Sequence, residues 1–153
     1  MLEVIPIESD HPGFQLKERL VTELRALGYE PLDVGTHSPA SADYPDFAHN
    51  VAEQVEHHDA NRGVLLCGTG LGMSYTANRY PRVRAAVAWT PEIAALAREH
   101  NDANVLVLPA RFVSEAAGKE ILKAWLDTPF AGGRHSRRVA KIERDDHSTE
   151  GNR

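Results

Sequence analysis

The chain has 153 residues, 42% hydrophobic and 25% charged, with a formal net charge of -5, so it fits one compact domain and lacks the basic surface a nucleic-acid partner needs. No apolar run is long enough to span a bilayer, and Met1-Leu2-Glu3-Val4-Ile5-Pro6 has neither the basic nor the long apolar region of a signal peptide. One cysteine, Cys67, excludes an intrachain disulfide framework and points to the reducing cytoplasm.

Val4 to Ile7 reads as a first strand, with Pro6 suggesting an irregular or edge-like position. Asp10-His11-Pro12-Gly13 is a turn. Phe14, Leu16, Leu20, Val21, Leu24 and Leu27 then recur at helical spacing and stop at Gly28. Pro31 to Val34 is a second strand candidate, and Gly35 to Asp43 a polar loop. Phe47, Ala48, Val51, Ala52 and Val55 form the stripe of a second helix.

Val64-Leu65-Leu66-Cys67 is wholly apolar, as in the middle of a parallel sheet. The loop Gly68-Thr69-Gly70-Leu71-Gly72 follows it, then a helix through Asn78. Val83 to Ala88 is a fourth strand. Glu92 to Glu99 is helical, with Pro91 suited to its first turn. Val105 to Leu108 is a fifth strand, and Ala116, Ala117, Ile121, Leu122 and Trp125 mark a last core helix. Strands alternating with helices imply an α/β fold, a three-layer α/β/α sandwich around a parallel sheet. The domain is expected over residues 1–142, with a polar, mobile tail over 143–153.

Ligands of open α/β sheets bind beyond the carboxyl ends of the strands. Asp10-His11 and Cys67-Gly68-Thr69-Gly70 both follow strands and should face one crevice. The glycine loop reads GxGxG, lacks a P-loop lysine, and is followed by a strand ending Ala88-Trp89-Thr90 without a ribose-binding acid. It therefore suits a backbone anion nest rather than a dinucleotide site, although a tight strand-to-helix turn accounts for it equally. A cysteine at its mouth can act as a base, where an isolated cysteine is more often inert core. His100-Asn101-Asp102 closes a helix. Arg134, His135, Arg137 and Arg138 follow Gly132-Gly133 as either a solvated charge run or a phosphate clamp. Nothing in the histidine spacing or the single cysteine suggests a metal site, and no cofactor is inferred.

Taken in order, these residues resemble a known family. Asp10-His11-Pro12-Gly13-Phe14, Asp43-Tyr44-Pro45, Cys67 to Gly72, Ser74, Ala77-Asn78, Arg84-Ala85, His100 to Leu106, Arg111 and Gly132 to His135 are similar to ribose-5-phosphate isomerase type B and its relatives, the galactose-6-phosphate isomerase subunits. The resemblance implies a five-stranded, Rossmann-like parallel sheet, a phosphorylated sugar as substrate, and a homodimer or tetramer with active sites shared between chains. It implies Cys67 as the base, assisted by Thr69, with the backbone of Gly68, Gly70, Leu71 and Gly72 stabilising an enediolate. His100 would help open the sugar ring, with Asp10 and Asn101 near the hydroxyls. His11, Arg111, Arg134 and Arg138 would hold the phosphate, and Tyr44 would line the pocket. Some relatives use a glutamate base, but Cys67 and the Ser74-Tyr75 pair assign the cysteine variant. Pro6-Ile7-Glu8-Ser9 and Trp89-Thr90-Pro91 depart from the family's usual residues and could alter sugar preference toward allose 6-phosphate, galactose 6-phosphate or a four-carbon sugar phosphate. A non-catalytic sugar-phosphate-binding protein is the competing reading.

Strand direction adds one expectation. Cys67 ends its strand, whereas His100 precedes the next one, so the two should lie at opposite edges of the sheet. A five-residue strand spans roughly 16 Å, too far for one small sugar within a subunit. His100 is therefore expected to reach the Cys67 site of a neighbouring chain.

Overall fold

The computed structural model describes residues 1–33, 35 and 43–144. Five strands run β1 (Val4–Ser9), β2 (Glu30–Asp33), β3 (Gly63–Cys67), β4 (Ala85–Val87) and β5 (Val105–Pro109). Six helices accompany them: α1 (Phe14–Ala26), α2 (Tyr44–Glu56), α3 (Leu71–Ala77), α4 (Pro91–Asn101), α5 (Glu115–Asp127) and α6 (Arg134–Ala140). The sheet is parallel throughout, in the order β2-β1-β3-β5-β4. Val34, most of the loop expected over Gly35 to Asp43, and most of the expected tail lie outside the described residues.

Side-chain alternation along the central strands builds the three layers. Val64 and Leu66 of β3 join Leu106 and Leu108 of β5 against Leu20 and Leu24 of α1 and Ile121, Leu122 and Trp125 of α5. Leu65 and Cys67 face the other way, with Val105 and Val107, onto Val51 and Val55 of α2 and Met73 and Ala77 of α3. Each fully buried leucine or isoleucine contributes about 1.5–3 kcal/mol. The same alternation therefore stabilises the sheet and aims the thiol toward α2 and α3.

Three expectations change. Pro6 is not at an edge, because β1 lies between β2 and β3. The β1–β3 ladder begins at Ile7, one residue later, so the missing N–H of Pro6 interrupts no pairing on that side. The fourth strand shortens to Ala85–Val87, because the Arg84 N–H donates to Asn104 Oδ1 at 2.7 Å instead of to a strand neighbour. Finally, residues 134–140 form a helix with no buried residue, which no apolar stripe could announce. The departure at Trp89-Thr90-Pro91 proves to be a helix start: Thr90 Oγ1 accepts from Ile93 N–H at 3.2 Å and Pro91 opens α4. No helix among the described residues is long and apolar enough to cross a membrane.

Candidate active site

The carboxyl ends of β1, β3 and β5 meet around a small depression of about 180 Å³. Asp10, Pro12, Tyr44, Cys67, Gly68, Thr69, Gly72 and Arg111 line it. Pairing explains the convergence. Asp10 N–H donates to Leu66 O at 3.2 Å, setting the end of β1 beside that of β3. Cys67 pairs with Pro109, and Ala110 N–H then donates to Cys67 O at 2.8 Å. Arg111 N–H donates to Gly68 O at 3.0 Å, which brings the guanidinium over the glycine loop.

Cys67 is buried, and its Sγ accepts a hydrogen bond from Gly70 N–H at 3.1 Å. The sulfur is thus held as an acceptor at the mouth of the loop, the role a base must fill. Gly70 has φ of +80°, a conformation that glycine adopts without strain, and this turn points its N–H back at the sulfur. Leu71 N–H donates to Thr69 Oγ1 at 3.2 Å, fixing the hydroxyl of the loop. At Gly72 the constraint is close approach: a Cβ would lie 2.6 Å from the Tyr44 ring. Tyr44, the first residue of α2, closes that wall.

Asp10 is half-buried, and its Oδ1 accepts from Gly13 N–H at 3.2 Å. Burial raises its carboxyl above the usual aspartate value, against the opposing pull of that hydrogen bond and of the Arg111 and His11 charges. His11 is exposed beside it.

The other expected site residues are elsewhere. His100 and Asn101 end α4, and Arg134 and Arg138 lie on α6, whose lead-in is tied to α4 by Ala131 N–H donating to Glu99 O at 3.0 Å. The His100 and His135 rings stack with centroids 4.5 Å apart. Desolvation, then the neighbouring His100, Arg134 and Arg138 charges, hold the His135 imidazole below its ordinary value. This cluster adjoins the amino end of β5, whereas Cys67 pairs with Pro109 at its carboxyl end. Four strand steps separate them, roughly 13 Å at about 3.3 Å each. Within one subunit the expected residues therefore form two separate groups.

Sequence reasoning missed two features. Pro12 lines the depression, although it sits inside the quoted Asp10-to-Phe14 motif. Glu8 lies on the same sheet face as Cys67, since it pairs with Leu65, and it is 0% exposed. Its Oε1 accepts a long bond from Asn50 Nδ2 at 3.4 Å, and its Oε2 has no hydrogen-bond partner among the described residues. Burial pushes this carboxyl up to about 7, the Asn50 bond and the Lys17 charge opposing and Asp33 reinforcing. Lys17 is itself engaged with Asp33 at 2.9 Å. No group of three or more histidine, cysteine, aspartate or glutamate side chains that could hold a metal occurs among the described residues.

Comparison with known proteins places this geometry. The chain matches the ribose/galactose isomerase family over residues 5–142. It is 42% identical over 141 residues to ribose-5-phosphate isomerase B of Escherichia coli, covering 92% of this chain and 95% of that relative. The solved ribose 5-phosphate isomerase of Thermotoga maritima superposes with a TM-score of 0.89 at 49% identity, covering 92% of this chain and 97% of that one. Ribose-5-phosphate isomerase B of Mycoplasma genitalium, solved with bound ribulose 5-phosphate, gives a TM-score of 0.88 at 39% identity, covering 100% and 99%.

Proposed function

Because the chain belongs to the ribose/galactose isomerase family, we propose that it interconverts ribose 5-phosphate and ribulose 5-phosphate, with Cys67 as the base. One observation carries the reading: a buried sulfur, held as an acceptor by Gly70 N–H at 3.1 Å, at the one strand end where Asp10, Thr69, Tyr44 and Arg111 also converge. Cys67 Sγ takes the proton from C2 of the open-chain aldose. The C–H electrons form the C1–C2 double bond of an enediolate, whose negative charge falls on O1. The N–H groups of Gly68, Gly70, Leu71 and Gly72 stabilise that charge, those of Gly70 and Leu71 turning to it from Cys67 Sγ and Thr69 Oγ1. Thr69 transfers a proton between O1 and O2, and the Cys67 thiol returns its proton to C1, giving the ketose.

The remaining roles complete the site across an interface. His11 and Arg111 of one chain and Arg134 and Arg138 of a neighbour hold the phosphate, the guanidinium forks matching its oxygens. His100 and Asn101 of that neighbour meet the sugar ring, His100 assisting its opening, while Asp10 binds a hydroxyl. The two half-sites, roughly 13 Å apart along β5, argue for a dimer of shared sites as the working unit. Ketose formation by the purified protein should be measured against ribose 5-phosphate, allose 6-phosphate, galactose 6-phosphate and a four-carbon aldose phosphate. The reading expects ribose 5-phosphate to give the highest kcat/KM. Absence of turnover on every member would leave a sugar-phosphate-binding protein instead.

A further inference from the structure

A cavity of about 620 Å³ opens at the amino edge of the sheet, lined among others by Arg62, Arg82, Arg84, Arg98, Asp102 and Asn104. Its arginines are largely committed to partners within the protein. Arg62 grips both oxygens of Glu3, with Nε and Nη2 donating at 2.9 and 2.8 Å. Arg84 and Arg98 converge on one residue, Asp102. Arg84 Nη2 donates to Asp102 Oδ2 at 3.3 Å and Arg84 Nε to Asp102 O at 2.9 Å. Arg98 Nη1 donates to Asp102 Oδ1 at 2.9 Å and to Ala103 O at 2.9 Å. The arrangement is a hub rather than an empty anion site.

The backbone at the hub is unusual as well. Asp102 has φ of +49°, one of two non-glycine residues with positive φ among those described. Its N–H donates to Arg98 O and that of Ala103 to Ala97 O, so the left-handed residue terminates α4. Asn104 continues the clamp: its Oδ1 accepts from Arg84 N–H and its Nδ2 donates to Arg82 O at 2.8 Å. The starts of β4 and β5 are thereby fastened to the last turn of α4, the turn that bears His100 and Asn101. Through Glu99 O and the His100–His135 stack, α6 rests on the same turn.

We propose that Asp102, clamped by Arg84 and Arg98, is a positioning residue for sugar-ring opening, fixing the direction in which α4 presents His100. This rests on the reading above in which His100 serves ring opening. It has a separable consequence, because the two halves of the reaction can be observed apart. Ribose 5-phosphate enters mainly as a closed ring. Ribulose 5-phosphate, with O5 carrying the phosphate, has no five-membered ring to open, and exchange of its C1 proton with solvent needs only the base and the enediolate.

The test compares Asp102→Gly and Asp102→Asn with the full-length wild type in two assays, each at saturating substrate. Glycine keeps the left-handed cap without strain and removes the carboxylate. Asparagine tolerates the same backbone and keeps one acceptor for an arginine. Turnover of ribose 5-phosphate should fall about 10- to 100-fold in Asp102→Gly, the scale of a small misplacement of a reacting group, and less in Asp102→Asn. Exchange of solvent deuterium into ribulose 5-phosphate should stay within about threefold of wild type in both. Equal losses in the two assays, or no loss of turnover in either variant, would overturn the hub's role. His100→Ala is measured alongside. If it loses turnover while Asp102→Gly does not, the hub alone fails. If His100→Ala keeps its turnover, the ring-opening reading fails, and the hub with it.

Discussion

Replacing Glu8 by glutamine tests how the protein tolerates a fully buried carboxyl on the sheet face that carries Cys67. Glu8 rises from 4.5 to about 7 on folding, driven by burial. Below 4.5 the group is protonated whether the chain is folded or not. Between 4.5 and 7 the unfolded chain releases the proton while the folded one keeps it, so stability falls as pH rises through that window. Above 7 the loss levels off, at up to about 3 kcal/mol from roughly 1.4 kcal/mol per tenfold. Glutamine has the shape of the protonated acid and carries no charge to bury. Glu8→Gln should therefore melt close to wild type at pH 4.5 and above it at pH 8. A gain of about 1–3 kcal/mol corresponds to a rise of roughly 3–9 °C in Tm for a chain of this size. Thermal melts of both proteins across pH 4.5 to 8 provide the assay. A difference that does not change with pH would refute the argument, because it would mean the Glu8 proton is held equally in both states.

Arg134→Ala and Arg138→Ala should each raise KM for ribose 5-phosphate, by about tenfold for a lost charge-assisted contact of ~1.5 kcal/mol, in steady-state kinetics; unchanged KM in both would make α6 a solvated face. Gly72→Ala should lower kcat/KM at least tenfold, since its methyl would meet the Tyr44 ring, and Tyr44→Ala in the same chain should recover part of the loss. Mixing Cys67→Ala and His100→Ala proteins under subunit exchange should restore activity to about a quarter of all sites, because each mixed dimer carries one intact site. Demonstrated exchange without returning activity would place His100 in its own chain's chemistry or in none.

Much of the carboxyl-edge site is legible in the residues because chain direction alone assembles it. Cys67 ends the apolar strand β3 and Asp10 follows β1, and parallel pairing of β1 with β3 brings their ends together. The all-apolar run of Val64 to Cys67 is the pattern of a strand covered on both faces, which is how it is built. Less legible are features set by tertiary partners. Pro6 suggested an edge, but its missing N–H is harmless where the β1–β3 ladder has not yet begun. Glu8 carries no local sign of burial, since its environment comes from Asn50 on α2 and Leu65 on β3. Arg84 reads as part of a strand, yet its N–H is taken by Asn104, twenty residues away. Helix α6 has no apolar stripe, so periodicity cannot reveal it.

The most direct measurement of the account is solvent proton exchange in Cys67→Ala. The variant should still bind ribose 5-phosphate, because the proposed phosphate ligands His11, Arg111, Arg134 and Arg138 are untouched. Its exchange of the C1 proton of ribulose 5-phosphate with deuterated solvent should fall by ~10²–10⁴-fold or more, the loss typical of a removed general base. Exchange within a few-fold of wild type, with binding retained, would contradict the assignment of Cys67 and require a different base.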